Sequence, residues 1–120
     1  MSHEAYRKTS AAVAGPRDVE YRAFSEATRR LIAASETGRK DLRALIEAIH
    51  LNRTLWGTLA ADCAKGANTL PTETRARIIA LSRWVSDYSS DVVRKGESLD
   101  PLVDVNRIIM NGLSPAPTGA

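Results

Sequence analysis

Leu42 to Cys63 reads LRALIEAIHLNRTLWGTLAADC, and its periodicity decides the fold. Leu42, Leu45, Ile49, Asn52, Trp56, Leu59 and Cys63 recur at alternating steps of three and four, a helical seam with one polar member. A second row, Ala48, Leu51 and Leu55, continues the seam round the cylinder, and Ile46 widens it on the other side. The apolar arc covers more than half of the helix, so this element is expected to be packed from several directions. Two polar residues interrupt the arc, Asn52 on the seam and Arg53 between Ile46 and Ile49. An unpaired buried polar group costs roughly 1–3 kcal/mol, so each needs a partner from another segment or from a bound protein.

The 120 residues suffice for one domain with its own core. Hydrophobic residues make up 43% and charged residues 26%, values of an ordinary globular chain. No apolar run approaches the ~18 residues of a membrane span. Met1 to Ala14 lacks the apolar core of a signal peptide, which points to the cytoplasm. The lone Cys63 excludes a disulfide framework and reads as a small buried hydrophobe. The net charge of +3 is spread over Lys and Arg interleaved with acids, the pattern of a solvated mixed surface. A nucleic-acid binder concentrates its excess on one face.

Taken in order, residues 1–15 are small and polar, with Tyr6 and Val13 the only sizeable hydrophobes, and read as a flexible N-terminal arm. Gly15-Pro16 starts a helix whose inner face carries Glu20, Phe24, Ala27, Leu31 and Ala34, and Thr37-Gly38 ends it. The central helix is expected from about Arg39 to Lys65, stopping at Gly66. Asn68-Thr69-Leu70-Pro71 turns into a third helix with Ile78, Leu81, Val85, Tyr88 and Val92 on its seam and Trp84 beside it, closed by Gly96. Asp100 is a good N-cap for a short last helix lined by Leu102, Val105, Ile109 and Leu113, with Val103, Ile108 and Met110 broadening the face. Ser114 to Ala120 reads as a disordered tail. The expectation is all-α: a compact bundle of about four helices in a single domain, residues 16–113, between the arm (1–15) and the tail (114–120).

Chemistry is sparse. His3 and His50 form no metal-ligand spacing with Cys63 or with each other, and His50 projects from the polar side of its helix. No phosphate loop, nucleophile elbow or Glu-x-x-His pair occurs, so neither catalysis nor a cofactor is expected. The notable polar residues are Asn52-Arg53 and Asn106-Arg107, each pair set in an apolar helix. In one reading the asparagines hydrogen-bond a turn or each other and fix helix register. In the other, Asn52, Arg53, Asn106 and Arg107 rim a groove for a partner helix together with Trp56 and Trp84. The tryptophans fit a core equally well.

These residues also carry a family resemblance. Ala5-Tyr6, Pro16-Arg17-Asp18-Val19-Glu20-Tyr21, and Asn52-Arg53-Thr54-Leu55-Trp56 followed by Asp62 come first. Leu70-Pro71 heads the third helix, and Pro101-Leu102 leads through Val105-Asn106-Arg107 to Met110-Asn111-Gly112-Leu113. In that order they make the chain resemble the FlaF family, regulators of flagellum biosynthesis in alphaproteobacteria, over nearly its whole length. The resemblance implies a small cytoplasmic protein that binds flagellin as a secretion chaperone, through the partner's C-terminal helices, and acts with or against the regulator FlbT on flagellin synthesis. The competing readings are a nucleic-acid-binding regulator of flagellin expression, for which Arg75, Arg77, Arg83, Arg94 and Lys95 make the third helix the candidate, and a structural oligomer subunit.

Overall fold

A computed structural model describes residues 16–66 and 68–113, with side chains from 20 to 112 apart from residue 67. The expected arm (1–15) and tail (114–120) lie outside the described residues. Four α-helices make up the described chain: α1 (Pro16–Thr37), α2 (Leu42–Cys63), α3 (Thr72–Lys95) and α4 (Asp100–Leu113), with a single 3-10 turn, Gly38–Asp41, between α1 and α2. No strand occurs among the described residues, so the all-α expectation holds.

Each helix exists because one face finds cover. On α1, Phe24, Ala27, Thr28, Leu31 and Ala34 are buried at helical spacing. On α2 the buried set is Leu45, Ala48, Ile49, Asn52, Trp56, Leu59 and Cys63. The expected seam is therefore right from Leu45 onward, but Leu42 and Ile46 remain 48% and 45% exposed. They flank the packed face, on which Leu45 between them is already buried.

The helix ends correct three boundaries. Gly38, at φ +57°, lets the chain leave α1, and Arg39 to Asp41 then form the 3-10 turn where the sequence suggested the start of α2. The Asp41 carboxylate accepts the Ala44 N–H at 3.1 Å and so fixes the true start at Leu42. At the other end α2 stops at Cys63, ahead of the expected Lys65. At α4 the cap is displaced by one residue. The Leu99 carbonyl accepts from Leu102 and Val103 N–H, while Asp100 is already helical and its own N–H donates to Ser98 Oγ. Gly96 closes α3 as expected, left-handed at φ +72°, with its N–H on the Val92 carbonyl at 3.1 Å.

The helices alternate in direction. Trp56 meets Ser82 while Arg53, one turn earlier, meets Ser86 and Ser90, so α2 and α3 run antiparallel. Thr28 meets Asn106, and Ala34 lies near Asp100, so α4 returns antiparallel to α1. Packing is extensive for α1 on α2, α2 on α3 and α1 on α4, but sparse for α3 on α4. Arg39 ties the 3-10 turn to the end of α3 by donating to the Val93 carbonyl at 2.7 Å. No helix among the described residues is long and apolar enough to cross a membrane.

Candidate functional site

The polar residues singled out from the sequence divide into an inner and an outer group. Asn52, Trp56 and Asn106 are all 0% exposed. Asn106 on α4 is the hub. Its Nδ2 donates to Asn52 Oδ1 at 2.8 Å and to Thr28 Oγ1 at 3.0 Å, and its Oδ1 accepts from Trp56 Nε1 at 2.8 Å. Thr28 passes the chain on to the Phe24 carbonyl at 2.7 Å, and the Phe24 ring meets Trp56 edge to face at 5.3 Å. No Cα of α2 comes within 8 Å of a Cα of α4 among the described residues, so the two helices meet through long side chains such as these. Asn52, Trp56 and Asn106 are thereby removed from the surface, and their place at a groove rim gives way to the register-setting alternative. Thr28 is the network member that sequence reading missed.

Among the described residues two buried polar atoms stay unpaired, Asn52 Nδ2 and Ser89 Oγ. Ser89 is also 0% exposed and lies on α3, whose neighbouring serines, Ser86 and Ser90, receive Arg53. Arg53 is half-buried, and its guanidinium donates to the Ser86 carbonyl and to Ser90 Oγ. The partner from another segment that its position demanded is thus the third helix. Arg107 points to solvent, as does His50.

The outer group centres on Trp84, which is 38% exposed and stacks on Tyr88 with centroids 5.1 Å apart and planes 15° from parallel. Tyr88 donates its hydroxyl to the Ser98 carbonyl at 2.7 Å, which turns this flank of α3, with Leu81, towards α4. The opposite flank, with Ser82, Ser86 and Ser90, faces α2. Right-handed helices of alternating direction then put Val105, Ile108 and Ile109 of α4 on its α3 side, and Val103 and Met110 on its α1 side. Val105 and Ile109 are half-buried and Ile108 is 66% exposed. Because α3 and α4 touch so little, these two apolar flanks form the walls of an open cleft. The sequence marked most of its residues as core, since a helical wheel identifies an apolar face and not whether a neighbour covers it.

Charges of both signs surround the end of α3 and the start of α4, Arg39 lining the same hollow as Glu97 and Asp100. Burial raises the Tyr88 phenol above its usual range, and Glu97, Asp100 and Asp91 push it the same way. Asp91 is answered by Arg94 and Lys95. Glu97, Asp100 and Asp104 are exposed and form no ion pair among the described residues. Elsewhere, Cys63 is 1% exposed and its thiol is raised chiefly by burial, then by Asp62 and Glu20. No group of three His, Cys, Asp or Glu side chains that could hold a metal occurs among the described residues. An open hollow of about 420 Å³ lies where the 3-10 turn meets the α3–α4 connection, between Arg39, Leu45, Val92 and Leu99.

No curated protein and no solved structure matches the chain. The sequence profile described as "Flagellar protein FlaF" matches residues 2–113, almost the full length. A helical bundle in which the family-like Asn52-Arg53 and Asn106-Arg107 segments meet around one buried hub is thus the body of a flagellar protein, and the chain belongs to the FlaF family.

Proposed function

We propose that this protein binds flagellin as a secretion chaperone and couples flagellin synthesis to flagellar assembly, acting by association rather than catalysis in the cytoplasm, in functional connection with FlbT. Membership of a flagellar family supports the setting. The observation that carries the binding reading is the uncovered apolar cleft, where Trp84 and Ile108 are 38% and 66% exposed on facing flanks of α3 and α4. Exposed aromatic and aliphatic side chains at one place favour a protein partner, and helix-in-groove docking suits two diverging helices. Flagellin, whose terminal helices pair only in the filament, supplies such a helix.

The arginines of α3 speak against the nucleic-acid alternative. Arg75 donates to the Leu70 carbonyl and to Thr72, Arg77 pairs with Glu73, and Arg94 pairs with Asp91. Glu73 and Asp91 thus interrupt the basic residues of α3, Arg75 and Arg83 standing apart from them, which weakens the case for the continuous basic stripe that phosphate binding favours. The test is calorimetric titration of the full chain with flagellin, and with flagellin lacking its C-terminal helices. Saturable binding to the intact protein alone is expected. Equal binding to the truncated form would move the contact elsewhere on flagellin, and no binding to either would end the chaperone reading.

A further inference from the structure

The last helix is held mainly from one side. The 14 residues of α4 pack extensively on α1, sparsely on α3, and meet α2 only through side chains. Among its described side chains Leu102, Val103 and Asn106 are buried, against seven on α2. Val105, Ile109 and Met110 are half-buried, while Asp104, Arg107 and Ile108 are exposed. A short helix with so little buried hydrocarbon belongs at the low end of the local stabilities within one fold.

One of its three buried anchors is polar, and this changes what release costs. Asn106 bonds to Asn52, Thr28 and Trp56 in the closed form. Once α4 lifts, water takes the place of Asn106 at the Trp56 N–H, the Asn52 carbonyl oxygen and the Thr28 hydroxyl. Water also reaches Asn52 Nδ2, which has no partner in the closed form. The three bonds therefore define the closed geometry while adding little to its stability over an open, wetted form. The link to α3 permits the movement. Residues 96–99 join the two helices, and Gly96 can leave its φ of +72° for other conformations without a Cβ clash. Tyr88 ties this link to α3 through the Ser98 carbonyl, whereas Arg39 bonds to Val93 and holds the end of α3 itself.

We infer that α4 is a detachable helix latched by Asn106, leaving α1 as one unit on the 96–99 link while α1, α2 and α3 stay assembled. The packing of α1 on α2 and of α2 on α3 does not run through α4, so the remaining three helices keep it. Opening wets Thr28, Asn52 and Trp56 and gives the protein a second conformation, which a ligand that prefers it populates. The inference goes beyond the chaperone reading and stands or falls without flagellin.

Trp56 reports the opening from inside the core. Its indole N–H is buried and bonded to α4, whereas its backbone N–H belongs to α2. Hydrogen exchange of the full chain is followed by NMR, each rate divided by its intrinsic rate. The Trp56 indole and the amides of Val105, Asn106 and Arg107 are expected to exchange about tenfold or more faster than the backbone amides of Ile49, Asn52 and Trp56. The faster group should share one urea dependence, weaker than that of the α2 amides. Ile78→Val separates this opening from unfolding of the whole, because Ile78 is buried on α3, which packs on α2 and hardly on α4. The variant should speed the α2 amides about two- to tenfold and leave the α4 amides and the Trp56 indole unchanged.

A Trp56 indole that exchanges no faster than the α2 amides would overturn the inference. Fast α4 amides beside a slow indole would overturn it too, since they report fraying, as would a fast indole beside slow α4 amides. Equal acceleration of both groups by Ile78→Val would show that α4 opens only when the whole bundle unfolds.

Discussion

Replacing Asn106 by alanine should be among the most damaging single substitutions in this bundle, and the size of the effect follows from what it leaves behind. The amide of Asn106 satisfies three groups at once: Trp56 Nε1, Asn52 Oδ1 and Thr28 Oγ1. Thr28 retains its bond to the Phe24 carbonyl and loses least. The Trp56 N–H and the Asn52 carbonyl oxygen have no other partner and stay fully buried, and the Asn52 amide nitrogen is already unpaired. Two stranded groups at roughly 1–3 kcal/mol each predict a loss of about 2–6 kcal/mol. Against a total stability of about 5–15 kcal/mol, this is enough to bring the fold near its limit. Asn52→Ala should cost less, because it strands one amide hydrogen of Asn106 and removes an unpaired Nδ2 at the same time.

The assay is urea unfolding followed by circular dichroism at constant pH, with the slope checked for constancy across variants. The double variant supplies the sharper criterion. Once Asn106 is gone, Asn52 has no buried partner left, so truncating it as well should add little. The coupling energy should then reach about 1–3 kcal/mol. An Asn106→Ala loss below about 1 kcal/mol, or strictly additive single and double variants, would refute the view that these side chains act as one network.

Other outcomes follow from the same geometry. Arg53→Ala should lower stability by about 1–2 kcal/mol through loss of the bonds to Ser86 and Ser90, while flagellin affinity, measured under folded conditions, stays unchanged; Arg53→Lys should recover only part, since an ammonium lacks the planar fork. Gly96→Ala should cost about 1 kcal/mol in a thermal melt, because φ is +72° and the penalty is backbone strain, the nearest atom to an added Cβ being Arg39 Nε at 3.8 Å. Cys63 should resist a thiol-specific disulfide reagent at pH 8 in the native protein and react in urea, since the thiol is both buried and held above its usual pKa; rapid reaction of the native form would show that the lower end of α2 opens readily.

How much of this was legible depends on the kind of interaction. The seam from Leu45 to Cys63 could be read directly, because a 3.6-residue period is a local property of the chain. Gly96 could be read because few other residues tolerate its backbone angles. That Asn52 and Asn106 might bond each other could be posed from their setting in apolar helices. That Trp56 and Thr28 join them could not, for the partners are separated by up to 78 positions and no spacing rule links them. The start of α2 was misplaced although its signal was present: Asp41, three residues before Ala44, is an ordinary N-cap, overlooked because Arg39 and Lys40 read equally well as helix. Trp84 and Ile108 illustrate the opposite limit. Both sit beside apolar faces, and only the sparse packing of α3 on α4 leaves them in solvent.

The residues most suggestive of an interface in the sequence, Asn52, Trp56 and Asn106, act on the cleft from inside. Their bonds connect α4 to α1 and α2 and none of them reaches α3, whereas α3 is fastened to α2 separately by Arg53 and Ser82. The separation of the cleft walls is therefore set largely through α1 and α2, with the Tyr88–Ser98 hydrogen bond adding a tie at the upper end. Hydrogen bonds suit this task because they are directional. A purely apolar packing of α4 would tolerate sliding along its axis, and a shift of one turn would move Ile108 by about 5.4 Å along α3. The polar hub, costly as its unpaired Asn52 nitrogen makes it, holds one register out of several that hydrophobic burial alone would accept. On this argument a variant in the core network can weaken partner binding without any part of the cleft surface having changed.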